Sequence, residues 1–150
     1  MYIIDEKLDL DIRDTLTHKR FPFNLERTYD KLIIKLSYSP ALVPDDEKRE
    51  ILEEAIEKYL PLGEYSQRER EDTLNARIEN FLTTALFYEG KFIGAWHNKS
   101  TDQEIIVSKY FASKGYHKAA ITPGSYELVL SMHSANSKIT GKLSLEVIDE

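Results

Sequence analysis

Ser125-Tyr126-Glu127-Leu128-Val129-Leu130-Ser131-Met132-His133 is followed, four residues later, by Lys138-Ile139-Thr140-Gly141-Lys142-Leu143-Ser144-Leu145-Glu146-Val147-Ile148. Both runs are rich in branched and aromatic residues and alternate along much of their length. A strand sends successive side chains to opposite faces, so a period of two in such residues reads as a half-buried β-strand. The same reading covers Phe81 to Tyr88, Phe92 to His97 and Glu104 to Tyr110, with Glu89-Gly90-Lys91 as a tight hairpin between the first two. Ile121-Thr122-Pro123-Gly124-Ser125 puts proline where its ring presets φ and glycine where φ must be positive. That is type II turn chemistry, and the spacing predicts a turn at Pro123 and Gly124 joining two strands whose inward residues include Ile121, Tyr126, Leu128 and Leu130. Short strands at about ten-residue spacing with no helix between them indicate an antiparallel β-sandwich, jelly-roll-like, of about seven to eight strands.

Working upstream, Lys31 to Tyr38 alternates with Leu32, Ile34, Leu36 and Tyr38 on one face. Phe21, Phe23 and Leu25 repeat the pattern more weakly, and Pro22, which has no N–H to give a ladder, confines that piece to an edge or a bulge. Between these strands and Asn80 lies a different kind of segment. Pro44-Asp45-Asp46-Glu47 supplies a cap and negative charge for a helix start. Ile51, Leu52, Ala55, Ile56, Tyr59 and Leu60 then form one apolar stripe that Pro61 and Gly63 should end. Ser66 and Glu69 have capping-box spacing before a second, loosely anchored helical piece, Arg70 to Glu79, for which Leu74 and Ile78 are the apolar anchors. The expectation is a single β-sandwich domain over 1–150 with one amphipathic helix in an acidic insertion at about 45–79.

The 150 residues are enough to bury roughly 70% of the unfolded surface around one core. With 41% hydrophobic and 31% charged residues the chain belongs to the globular class. It has no cysteine, which removes disulfides, thiolate metal sites and cysteine nucleophiles together. Asp45 to Asp72 carries eleven acidic and five basic residues, so the whole net charge of -6 resides there and the other 122 residues sum to zero. A chain without a basic face is a poor match to nucleic acid. It also has no apolar run of membrane-spanning length, and Met1 to Leu10 carries Asp5, Glu6 and Asp9 where a signal peptide would be basic and then apolar. These features point to a soluble cytoplasmic protein without nucleic-acid or membrane partners.

Most catalytic signatures are missing: there is no phosphate-binding glycine loop, no nucleophile elbow, no H-x-H and no H-E-x-x-H. His18 falls in a polar turn, while His97, His117 and His133 belong to the β-rich part. No pair has local ligand spacing, although residues from separate strands could meet around zinc. Carboxylate pairs such as Glu53 and Glu57 lie on a solvated acidic helix. Lys109-Tyr110-Phe111-Ala112-Ser113-Lys114-Gly115-Tyr116-His117-Lys118 interleaves cations and rings without an acid, a composition able to hold phosphate, sugar or a single strand, or merely to staple a soluble loop over the core. Trp96, beside His97, could serve as a sugar platform or an interface anchor. Its parity with Phe92 and Gly94 favours core packing instead. The candidates for ligand or interface contact are therefore Trp96, His97, Lys109 and Tyr116.

Taken as a string, Asn80-Phe81-Leu82-Thr83, Phe92 to His97, Ser108 leading to Ala112-Ser113-Lys114-Gly115-Tyr116, and Ile121 to Tyr126 resemble the N-terminal accessory domain of PHP-type (polymerase and histidinol phosphatase) metallohydrolases. Arg20-Phe21-Pro22-Phe23 and Leu32 to Tyr38, followed by an acidic helix, are similar to that domain's opening. The resemblance covers most of the chain. It implies a β-rich domain that precedes and packs beside a PHP catalytic domain, in cis or in trans, whose metal ligands begin with an H-x-H motif. No such motif occurs in these residues, so no catalytic role carries over, and Pro123, Gly124 and Gly94 match only as turn and strand formers. The reading is thus a non-catalytic accessory module with no cofactor; the alternative is a free-standing sandwich for a carbohydrate or a phosphorylated metabolite. The expected chain binds no stoichiometric zinc or manganese. Elemental analysis of protein purified without chelators checks this, and about one metal per chain held by His97 or His133 would refute it.

Overall fold

The computed structural model describes residues 1–59, 66–74 and 77–149, with Thr73 and Leu74 described only in their backbone. Among the described residues eight strands form two four-stranded antiparallel sheets. One sheet has the order β1-β8-β3-β6, built from β1 (Tyr2–Leu10), β8 (Ile139–Ile148), β3 (Lys31–Ser39) and β6 (Asp102–Ser108). The other has the order β2-β7-β4-β5, built from β2 (Thr17–Leu25), β7 (Gly124–Ser134), β4 (Phe81–Tyr88) and β5 (Lys91–Ala95). The chain passes from sheet to sheet in a jelly-roll arrangement. Leu32, Ile34, Leu36, Leu143, Leu145 and Val147 of the first sheet and Leu82, Leu86, Leu128, Leu130 and Met132 of the second are sealed from solvent in one shared core. The alternation read in the sequence is therefore the division between this core and the two outer faces.

The acidic insertion lies between β3 and β4 as α1 (Asp45–Tyr59) and α2 (Gln67–Leu74). Leu52 and Ile56 bury the stripe of α1, whereas Tyr59, expected on that stripe, is exposed. Ser66 caps α2 by accepting from the Glu69 N–H at 3.1 Å. The second helix is thus shorter and earlier than the Arg70–Glu79 reading. Leu60, Pro61 and Gly63, the expected end of the first helix, and the Leu74 side chain, expected to anchor the second, lie outside the described residues, as does Glu150. No helix among the described residues is long and apolar enough to cross a membrane.

Strands β1 and β2 are the least legible. In β1 the acids Asp5, Glu6 and Asp9 obscure the inward set Ile4, Leu8 and Leu10. Strand β2 takes in His18, which is not in a turn, and lies at the edge of its sheet, the position to which Pro22 had confined it. Pro123 and Gly124 differ from expectation. Ile121 makes only an isolated bridge with Tyr29, so the segment does not join two strands, and Gly124, with φ +143°, opens β7 well away from the roughly +80° of a type II turn. Tyr88 donates to the Pro123 carbonyl at 2.8 Å, and Glu89 accepts from the Ser125 N–H at 2.8 Å.

A strap closes one flank. After Ser108 the chain turns back so that Ala112 bridges Val107 on the edge of one sheet, then crosses so that Tyr116 bridges Gly94 on the edge of the other. The Ala95 N–H donates to the Gly115 carbonyl at 3.1 Å and the His117 N–H to the Ile93 carbonyl at 2.8 Å. The approach is so close that a Cβ on Gly94 would collide with the Tyr116 backbone. Gly94→Ala is therefore expected to cost about 1–3 kcal/mol, the range for overpacking. Gly124→Val should cost a similar amount, about 1–3 kcal/mol for a side chain forced into a sparsely allowed φ. Thermal melts followed by circular dichroism should show each variant still β-rich and lower by roughly 2–4 °C per kcal/mol. An unchanged midpoint for Gly94→Ala would remove the strap as a structural element.

Candidate functional site

The four sequence candidates do not converge on one site. Tyr116 is a core residue, 8% exposed, with its hydroxyl donating to the Thr84 carbonyl at 3.0 Å. Burial pushes its phenol up to about 12, and a side chain enclosed in this way cannot meet a ligand. Trp96 corrects the sequence in the opposite direction, being 38% exposed rather than in the core. The parity argument fails at two points: a β-bulge, in which Leu86 faces Gly94 but Phe87 faces Phe92 so that Ile93 is the extra residue, separates Phe92 from Gly94, and β5 ends at Ala95, so its alternation does not extend to Trp96. Phe92 turns outward against Phe87, with ring centroids 5.7 Å apart. Trp96 lies just past the end of β5, where the Lys114 ammonium stands 5.1 Å from its ring centroid. Lys109 is elsewhere, on the turn after β6 and beside Tyr110.

His97 has the neighbours that sequence reasoning missed. Residues at odd positions of β4 and β7 point away from the core, and this outer face gathers Phe81, Thr83, Ala85 and Phe87 with Val129, Ser131 and His133. His97 packs against His133 with centroids 4.8 Å apart, and Phe81 stacks on His133 at 4.8 Å. The His133 Nε2 pairs with Thr83 Oγ1 at 2.7 Å, and His18 Nδ1 pairs with Ser131 Oγ at 2.8 Å. Three imidazoles far apart in sequence thus share one sheet face, because β7 sits between β2 and β4 and carries His133 past both. The Lys99 ammonium lies 5.8 Å from the Phe81 ring and is paired with Glu79.

A hydroxyl–imidazole pair resembles part of a nucleophilic site, but Thr83 is only 4% exposed, which shields its hydroxyl from a substrate. Among the described residues no group of three histidine or carboxylate side chains is arranged to hold a metal ion. No family model matches the chain, and no curated protein matches it. The resemblance to PHP-associated domains accordingly rests on the residues that carry it.

His133 gives the face a pH dependence. Partial burial, and then the charges of His97 and His18, hold its imidazole below the ordinary value of 6.5. When the folded pKa is depressed, stability is full above the unfolded value and falls as acid protonates the unfolded chain first. Melting temperature should therefore decline as pH is lowered from about 6.5, and His133→Gln should flatten that decline. A histidine-resolved NMR titration placing His133 at or above 6.5 would contradict the assignment.

Proposed function

We propose that the chain is a non-catalytic interaction module whose β2-β7-β4-β5 sheet presents its outer face to a partner domain. The observation that supports this reading is the contrast between the two outer faces. On the β1-β8-β3-β6 sheet the outward positions hold Asp5, Lys7, Lys35, Glu104, Lys142 and Glu146 around the facing pair Ile33 and Ile106, with cross-strand ion pairs Lys35–Glu104 and Lys142–Asp5. Charged side chains dominate that face. On the other sheet the outward set is Phe81, Ala85, Phe87, Phe92, Val129, Pro22 and the imidazoles, and Arg20 is neutralised by Glu127 at 2.7 Å. Depletion of charge with enrichment in aromatics is the composition of an interface centre. The resemblance supplies the partner class, a PHP-type metal-dependent phosphoesterase domain acting in cis or in trans, beside which this module packs.

A second reading, a small-ligand-binding sandwich for a carbohydrate or a phosphorylated metabolite, is favoured by the exposure of Trp96 under the Lys114 ammonium.

The first reading is tested by mixing the chain with a PHP-type domain from the same organism at tens of micromolar and following co-migration by size exclusion. Phe92, 54% exposed, can be made Phe92→Glu without unfolding the core. That variant should lose co-migration, while Ile33→Glu on the opposite outer face should keep it. Failure of the unaltered chain to co-migrate, or equal loss in both variants, would overturn the proposal.

A further inference from the structure

We infer that the groove between Tyr29 and Tyr110 is a binding site for a small anionic sugar, a monosaccharide carrying a phosphate. This inference rests on the small-ligand reading and uses a surface separate from the aromatic-histidine face. The groove has a volume of about 440 Å³ and is lined by Tyr29, Asp30, Lys31, Ser108, Lys109 and Tyr110 among others. That size lies within the usual range for ligand pockets.

Both walls are held in place before any ligand arrives. Tyr29 bridges Ile121 through its N–H at 2.9 Å. The Arg27 guanidinium covers its ring from 4.1 Å and is itself anchored by Asp149 at 2.8 Å. Opposite, Ser108 locks the turn that carries Lys109 and Tyr110: its N–H donates to the Phe111 carbonyl at 2.7 Å, and its hydroxyl accepts from the Phe111 N–H at 2.9 Å. Tyr110 is 81% exposed on this fixed turn, so it contributes nothing to the core. An exposed aromatic on a rigid support has a small ordering cost when it stacks on a ligand.

The polar groups select the class of ligand. The Lys109 ammonium, 5.6 Å from the Tyr110 ring centroid, supplies a charge-assisted donor for a phosphate. Asp30 would repel a bare anion, but its carboxylate can accept hydrogen bonds from hydroxyl groups. A ligand that carries both an anion and several hydroxyls satisfies the two together, and the C–H faces of a sugar ring suit the tyrosine walls. Inorganic phosphate alone would use the ammonium and leave the aromatic walls idle.

NMR titration of the ¹⁵N-labelled chain with glucose 6-phosphate, glucose and inorganic phosphate, each to about 10 mM, tests the site at the affinities expected of a single small ligand. Glucose 6-phosphate should shift amides around Tyr29 and Ser108–Phe111, at least about tenfold more tightly than either probe alone, the loss expected when one charge-assisted hydrogen bond is removed. Lys109→Ala and Tyr110→Ala should each weaken binding about tenfold on the same grounds, with unchanged melting temperature. Phe92→Glu should leave binding intact, which separates this site from the partner-facing sheet. No shift with glucose 6-phosphate, shifts confined to other surfaces, or binding no tighter than that of phosphate would each overturn the assignment. If instead the tight binding persists in Lys109→Ala and Tyr110→Ala, the small-ligand reading stands but this groove is not its site.

Discussion

The close approach of Gly94 to Tyr116 governs how this sandwich is closed. Two stacked sheets leave open flanks, and on one of them the edges of β6 and β5 are joined by a single length of chain. The strap can lie flat on β5 only because Gly94 lacks a side chain, and it is held there by Tyr116, whose hydroxyl is enclosed against Thr84. A buried hydroxyl left without a partner is costly, so the bond to the Thr84 carbonyl matters more for the burial it permits than for its own strength. Trp96, Lys114 and the turn at Lys109 take their positions from the same strap. The exposed aromatic features of this flank are therefore consequences of how the core is sealed.

Periodicity exposed the architecture because the core itself is periodic. Leu32 to Tyr38 and Tyr126 to Met132 alternate between interior and exterior, and an antiparallel sandwich follows from repeating that pattern. The reading failed where one residue changed the count. At Ile93 a bulge reverses the phase and turns Phe92 outward, and Trp96, one residue past the end of β5, is not governed by the alternation of that strand. Strand β1 was hidden for another reason: as an edge strand it has an outward side dominated by solvent, and its acids outweigh the three inward aliphatics in any local window. The turn at Gly124 was misread because a proline–glycine pair fixes where the backbone bends, whereas Tyr88 and Glu89, distant in sequence, fix the angle.

The histidine face was less legible than the fold. His97 and His133 are ordinary strand-end residues until the sheet order is known, and β2-β7-β4-β5 does not follow from alternation. One signal was available: Phe81, Thr83, Phe87, Val129 and His133 occupy outward positions yet are not the charged residues that a solvated face usually carries. Comparing the composition of both alternating registers, and not only of the apolar one, would have marked this sheet. Lys109 and Tyr110 were visible as a composition, but their pairing with Tyr29 depends on the bridge to Ile121, which sequence does not announce.

Edge protection in this fold also limits the assemblies it can form. An open strand is a template for another chain, and sandwiches with unguarded edges grow into fibrils. Here β6 and β5 are capped by the strap, β2 interrupts its donor row with Pro22, and β1 carries Asp5, Glu6, Lys7 and Asp9 along its length. Strand addition is discouraged along every border, so any association this protein makes is directed to its broad faces and loop surfaces. Contact of that kind can be finite and reversible, because it does not offer a fresh strand edge to the next chain.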